Sequence, residues 1–191
     1  MEEQTSWWDK AKGGLAELIE FVAIVGVIVL VIHYLIAEPH LVSGNSMVPN
    51  FHDGDYIITN KLATRFAELQ RGEVIILQYP RDPNKVFIKR IIGMPGERLK
   101  IMDNVVYING QLLSEPYLPK DTVTQVRGFM ADGEEITIPE GQYFVMGDNR
   151  EGSSDSREWG PEKKELIIGQ AIFRYWPINK ISIISIDKAS Q

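Results

Sequence analysis

A serine hydroxyl becomes a useful nucleophile only with a base within hydrogen-bond reach, and Ser46 is the serine whose neighbours raise that question. It lies in the run Val42-Ser43-Gly44-Asn45-Ser46-Met47-Val48-Pro49, and none of the three histidines is obviously placed to activate it. The chain has no cysteine, which removes thiol nucleophiles, thiolate metal sites and disulfides together. Lysine replaces histidine in Ser-Lys variants of the serine triad, but it accepts a proton only when neutral. Its pKa must fall from ~10.4 toward the working pH, and a drop of ~2–3 units corresponds to ~3–4 kcal/mol of destabilised ammonium. Apolar burial can supply that. Lys89 has the setting, with Val86, Phe87 and Ile88 before it and Ile91 and Ile92 after Arg90. On a strand Phe87, Lys89 and Ile91 share a face, so Lys89 would project among apolar side chains. Lys61 and Lys85 are poorer bases, each beside an asparagine in polar, turn-like sequence.

Taken singly, these fragments have bland readings. A lysine in an apolar strand is usually a snorkelling side chain. Gly44 and Pro49 can simply shape a turn, and Asp53-Gly54-Asp55 reads as a turn entering a strand. A third block, Gly147-Asp148-Asn149-Arg150-Glu151-Gly152-Ser153-Ser154-Asp155-Ser156-Arg157, ends in a carboxylate and a guanidinium two residues apart, a pair that often fixes a loop. The order of the blocks carries more than any one of them: the Ser46 run, then Phe87-Ile88-Lys89-Arg90, then Gly147 to Arg157.

In that order the blocks resemble the type I signal peptidases, membrane-bound serine proteases with a lysine base, and the resemblance extends to about Trp176. It implies Ser46 as nucleophile and Lys89 as general base. It implies that Ser153 hydrogen-bonds and orients the lysine, and that Asp155 and Arg157 hold the loop near the dyad. The Ser46 backbone N–H is the expected oxyanion donor. The second donor in some members is a serine two residues before the nucleophile; here Gly44 holds that position and Ser43 stands one step further away. Asn50 stands where threonine is common, and the link from Gly160 to Gly169 is shortened. The implied substrates are signal peptides of preproteins with small residues at an A-x-A-like exit, added as an extended strand to an exposed sheet edge. Met47, Phe87 and Ile88, which flank the dyad in sequence, are the expected pocket walls. No metal or cofactor is implied. The lipid bilayer is an expected partner, with a place near the protein export channel.

The elements that must position these residues begin with one apolar run. Phe21 to Ala37 is apolar apart from Gly26, His33 and Tyr34, and Leu15, Ala16, Leu18 and Ile19 extend it, interrupted by Glu17 and Glu20 near the headgroups. As a helix, residues 21–37 span roughly 26 Å against a hydrocarbon core of ~30 Å. The rival is a cleaved signal peptide, which would want a basic start, a shorter core and a small-residue exit. Glu2, Glu3 and Asp9 against Lys10, with Leu35-Ile36-Ala37 at the exit, favour a retained anchor. Lys10 and Lys12 precede the run, while no Lys or Arg occurs from Glu38 to Asn60. The positive-inside rule then puts the N-terminus in the cytoplasm and the rest outside the plasma membrane. Trp7 and Trp8 fit interfacial anchors or a plain amphipathic stub. The expected organisation is a cytoplasmic stub over 1–14, a transmembrane anchor over 15–37 and an extracytoplasmic domain over 38–191.

From Leu41 onward the pattern becomes short β-type runs between Gly, Pro, Asp and Asn. Strands are predicted near Asp55–Asn60, Val74–Tyr79, Val86–Ile92, Arg98–Met102, Val105–Ile108, Gln111–Leu113, Glu135–Ile138, Tyr143–Met146 and Ile168–Trp176. Asn109-Gly110 supplies the positive φ angles of a two-residue hairpin turn. One helix is predicted over Lys61–Leu69, and Pro119–Glu134 reads as a polar excursion without an assigned function. The Ile181–Ile186 run is too short to span a bilayer. The predicted fold class is all-β, an antiparallel-sheet catalytic domain with one N-terminal transmembrane helix.

With 191 residues there is room for that anchor and one modest domain. A net charge of −6 and no basic stripe with interleaved aromatics argue against nucleic acid. A self-cleaving repressor with the same dyad would need a DNA-binding helix-turn-helix where this chain has its apolar run. A non-catalytic β-module on a membrane stalk leaves all three blocks unexplained, and a Ser-His hydrolase using His40 or His52 has no acid at recognisable spacing.

Overall fold

The computed structural model describes residues 7–185, with the backbone alone at 7–13, 32 and 63. Residues 1–6, Ile186 and the side chains of Trp7, Trp8, Lys10 and Lys12 lie outside what is described. The chain forms two compact units, Met1–Ala37 and Glu38–Gln191. The first is a helix, α1 (Trp7–Val31), extended by a wider π-turn over Ile32–Ile36. Its stretch Gly14–Ile36, 23 residues, is long and apolar enough to cross a membrane. At 1.5 Å per residue it measures roughly 35 Å, enough for a ~30 Å core. Leu, Ile and Val side chains stand exposed all along it, the profile of a helix whose apolar surface has no protein around it.

The second unit is antiparallel β-structure, as predicted. In chain order it contains β1 (Ala37–Leu41), β2 (Tyr56–Asn60), a single helical turn α2 (Leu62–Phe66), β3 (Val74–Tyr79), β4 (Asp82–Gly93), β5 (Arg98–Met102), β6 (Val105–Ile108) and β7 (Gln111–Leu112). There follow β8 (Glu135–Thr137), β9 (Gln142–Met146), the turn α3 (Ser156–Trp159), β10 (Glu162–Lys163), β11 (Ile167–Trp176) and β12 (Ser182–Ile183). One sheet runs β1-β2-β11-β3-β4-β9-β10, with β12 added to β11; a smaller one runs β7-β6-β5-β8.

Period-2 patterning explains why these runs became strands. Val74 and Ile76 enter one core cluster, with Val42, Met47, Phe51 and Ile57, while Ile75 and Leu77 enter another with Ile91 and Val145. Phe144 and Met146 of β9 face a third cluster with Leu99, Ile101, Val106 and Ile108 of the small sheet. The Asn109-Gly110 hairpin forms as predicted, with φ of 53° and 81°. The predicted helix over Lys61–Leu69 shrinks to α2, and β1, β10 and β12 were not predicted. Glu38, Pro39 and His40 hide the pattern in β1, and two-residue strands are too short to show a period at all.

β4 is longer than predicted and matters most. Its residues 86–90 pair in register with β3, which sets Lys89 opposite Ile75 and Phe87 opposite Leu77. β9 pairs only with Arg90, Ile91 and Gly93. Residues 82–89 therefore keep one edge unpaired among the described strands.

Glu162 of β10 is buried, and its Oε1 has no hydrogen-bond partner. Burial pushes its carboxyl up to about 7. A carboxyl whose folded pKa is raised keeps its stabilising protonated form at low pH. That stability is lost as pH rises from the unfolded value of ~4.3 through about 7. Glu162→Gln should remove this loss. In thermal denaturation of the detergent-solubilised chain, wild type should lose more stability between pH 5 and 8 than the variant, by roughly 1–3 kcal/mol.

Candidate active site

Ser46 sits at the start of a tight turn. Val48 N–H donates to the Asn45 carbonyl and Phe51 N–H to the Met47 carbonyl, so the chain coils directly after the serine. Met47 and Phe51 are drawn into the core beneath it, which leaves Ser46 half-exposed above. Lys89 arrives from β4, only 3% exposed, and its Nζ hydrogen-bonds Ser46 Oγ at 2.9 Å and the Ile88 carbonyl at 3.0 Å. Nζ also lies 5.1 Å from the centre of the Phe87 ring. Burial lowers the Lys89 pKa to about 8; Asp155 and Asp148 pull it back up, and Arg157 pushes it down. The sequence argument for a lysine among apolar side chains thus has its geometric counterpart. The alternatives are engaged elsewhere: Lys61 with Glu38 at 3.0 Å and Lys85 with Asp82 at 3.2 Å. His52 faces Lys180 rather than Ser46.

The Gly147–Arg157 loop leaves β9 and closes over the serine turn. Asn149 N–H donates to the Ser46 carbonyl at 3.0 Å, and the Asn149 amide to the Asn45 carbonyl at 3.0 Å. Gly147 is required by this approach, since a Cβ there would lie 2.3 Å from both the Ser46 carbonyl oxygen and Ser153 Oγ. Asp155 caps α3 and binds Arg157 through two contacts of 2.8 Å, both side chains fully buried. It also accepts from Gly147 N–H at 3.1 Å. Burial pushes the Asp155 carboxyl up, but Arg157, the Gly147 N–H and the Ser153 hydroxyl outweigh it and hold the group below its ordinary value. Arg157 continues to the carbonyls of Arg150 (2.8 Å) and Gln125 (3.2 Å).

Several partners of this loop escaped the sequence reading. Arg90 is fully buried and grips Asp148 at 2.8 and 2.6 Å, with its guanidinium 4.0 Å from the Tyr117 ring. Asn50, the departure from the usual threonine, donates to Asp148 at 2.8 Å and to the Tyr117 carbonyl at 2.9 Å. The excursion 119–134 also has a role: Arg127 binds Glu158 at 2.7 Å and the Glu151 carbonyl at 2.6 Å, and Thr124 accepts from Arg150 at 2.6 Å. The only sequence signal was the unusual charge density of these segments.

A cavity of about 120 Å³ adjoins the dyad, and Ser43, Ser46, Phe87, Ile88 and Lys89 all line it. Ser43 therefore shares the cavity with Ser46 despite its extra residue of separation. Phe87 and Ile88, two of the expected pocket walls, are among its lining residues. Met47 is not: only 1% exposed, it packs into the core under the turn, because successive residues of a tight turn point in different directions. Ser153 is buried beside the Ser46 carbonyl, yet no hydrogen bond joins it to Lys89. Its hydroxyl donates to the Ser154 carbonyl at 3.4 Å and supports Asp155. No cluster of His, Asp and Glu among the described residues could hold a metal ion.

Comparison with known proteins gives a consistent result. Residues 15–176 match the family model described as signal peptidase, peptidase S26. The chain is 37% identical to signal peptidase I of Bacillus licheniformis over 89% of this chain and 93% of the relative. It is 36% identical to signal peptidase I T of Bacillus subtilis (strain 168), over 84% of each chain. A crystal structure of a signal peptidase I from Enterococcus faecalis V583 aligns with 54% of this chain and 96% of its own, at 36% identity and a TM-score of 0.46.

Asp155→Ala would leave Arg157 buried without its carboxylate and the Gly147 N–H without an acceptor. Breaking a buried pair from one side typically costs about 3–5 kcal/mol. Denaturant unfolding of the full chain in detergent should show a loss of that order.

Proposed function

The chain belongs to the signal peptidase family, peptidase S26, and on that footing we propose that it removes N-terminal signal peptides from exported preproteins with Ser46 as nucleophile and Lys89 as general base. It is a serine endopeptidase of the signal peptidase I type. The observation that carries the dyad assignment is the 2.9 Å contact between a buried lysine and a half-exposed serine on the rim of a cavity.

Neutral Lys89 takes the Ser46 proton as Oγ attacks the carbonyl carbon of the last signal-peptide residue. The oxyanion faces the Ser46 backbone N–H, with the Ser43 hydroxyl as candidate second donor. Collapse of the tetrahedral intermediate breaks the C–N bond. The Lys89 ammonium gives its proton to the departing amine, and the signal peptide stays on Ser46 as an ester. Lys89 next deprotonates a water, which attacks the ester carbonyl, and the proton returns to Ser46 as the signal peptide leaves. Asp155, Arg157 and Ser153 touch no reacting atom and act as positioning residues. The unpaired edge at residues 82–89 accepts the substrate as an added strand, and small side chains enter the cavity between Phe87, Ile88 and Ser43.

The proposed topology follows from the same reading. Residues 15–37 span the plasma membrane, 1–14 lie in the cytoplasm and 38–191 lie outside, where translocated preproteins emerge near the export channel. Lys10 and Lys12 before the span, with no Lys or Arg from Glu38 to Asn60, support that orientation. Protease added to spheroplasts should digest the domain; digestion only after lysis would reverse the assignment.

The dyad is tested by single-turnover cleavage of a preprotein with N-terminal sequencing of the product. Ser46→Ala and Lys89→Ala should abolish cleavage while the protein stays folded. Lys89→Arg should fail as well, because a guanidinium remains charged and cannot accept the proton. In wild type the base is neutral above its pKa, so kcat/KM should rise with pH through about 8. Turnover by either lysine variant would sink the assignment.

A further inference from the structure

Phe87 lines the cavity beside Ser46, yet it stands on the stretch of β4 whose second edge has no partner among the described strands. It is only partly buried, packed against the core cluster that contains Leu77 and Ile91. A ring so placed can change rotamer unless further side chains hold it. Two rings do so. Tyr79 of β3 packs on Phe87 with ring centres 4.8 Å apart, and Trp159 of α3 does so at 6.1 Å. Tyr79 and Trp159 also meet each other edge-on at 5.1 Å, which closes the trio. All three separations fall within the ~4.5–7 Å at which aromatic rings attract. Neither Tyr79 nor Trp159 is among the residues that line the cavity, so their contacts with Phe87 lie outside it.

Trp159 belongs to the loop that closes over the serine turn, as the last residue of α3, which Asp155 caps. The Phe129 N–H, from the excursion 119–134, donates to the Arg157 carbonyl at 3.0 Å. Arg81, in the turn between β3 and β4, donates to the Glu158 carbonyl at 3.3 Å. α3 is thereby tied to the hairpin that carries Phe87. Among the other walls, Ile57 and Ile76 belong to the core beneath the cavity and are held by it. Phe87 is the wall whose place depends on a neighbour brought from another element.

We infer that Trp159 is a positioning residue for substrate selection, holding the Phe87 ring as a fixed wall that keeps large side chains out of the cavity. The inference rests on the reading above, in which this cavity receives the small substrate side chains before the scissile bond. The volume of about 120 Å³ leaves little room, so a modest swing of one ring changes what fits.

The test uses the full chain in detergent and matched signal-peptide substrates with alanine or leucine one or three residues before the scissile bond. The ratio read is kcat/KM for alanine over leucine, at the position where wild type discriminates more. In Trp159→Leu it should fall roughly 3- to 30-fold, part of the ~10–200-fold that a close-fitting pocket gains from one methylene. Trp159→Phe keeps a ring against Phe87 and should hold most of the ratio. Tyr79→Leu removes the other ring and should lower the ratio in the same direction, so the result does not hang on one variant folding. A merely structural loss would slow both peptides alike. In a Phe87→Ala background the ratio should already be low, and adding Trp159→Leu should not lower it further. A further fall would place the effect of Trp159 outside Phe87 and overturn the inference. Wild-type ratios in Trp159→Leu and Tyr79→Leu would also overturn it, with the Ser46–Lys89 assignment left standing. Failure of wild type to cut any of these peptides would overturn that assignment instead.

Discussion

The proposed chemistry sets one electrostatic demand on the β-rich unit: Lys89 must lose its proton at moderate pH while two carboxylates stand nearby. Burial favours the neutral amine, but Asp155 and Asp148 both act to restore the ammonium. Removing them is not open to the fold, because Asp155 anchors Gly147 and Asp148 holds Asn50. Instead each carboxylate is matched at close range by a guanidinium, Arg157 for Asp155 and Arg90 for Asp148, all four side chains at most 2% exposed. A bidentate pair presents little net charge a few ångströms away, so desolvation keeps the upper hand at Lys89. Guanidinium suits this use because it stays charged where a second lysine would itself be neutralised by burial.

That demand explains the arrangement of β4. Lys89 and Arg90 are adjacent, so the pleat sends them to opposite faces. One reaches Ser46 and the other reaches Asp148 on the loop that braces Ser46 from the far side. A single strand thus carries the proposed base and the clamp for the support of Ser46. β4 can do this only because residues 86–90 pair with β3 in unbroken register, since a slip by one residue would exchange the two faces. The irregularities fall to either side of that stretch, between Asp82 and Val86 against β3 and between Ile91 and Gly93 against β9.

The sequence disclosed the parts of this that depend on local pattern. Short β-type runs between Gly, Pro, Asp and Asn marked β3, β5, β6 and β9, the Asn109-Gly110 pair marked a hairpin, and apolar flanks marked Lys89. Asp155 and Arg157 were legible as a pair because they lie two apart. What stayed hidden depends on contacts between distant segments. Arg90 and Asp148 are 58 positions apart, and Arg127 and Glu158 are 31 apart. No periodicity links such residues, so the excursion 119–134 looked idle although it braces the loop. Met47 shows the opposite error. Adjacency to the nucleophile suggested a pocket wall, but in a tight turn adjacent side chains diverge, and this one became core.

The small cavity follows from the same economy of packing. Its floor includes Ile57 and Ile76, side chains that also belong to the core under the Ser46 turn. Making room for a large substrate side chain would mean displacing residues that hold Met47 and Phe51, and with them the turn that presents Ser46. Close-packed cores yield poorly to such changes. The restriction to small residues proposed for this cavity is thus tied to the support of Ser46, and widening the cavity from below would loosen the serine as well.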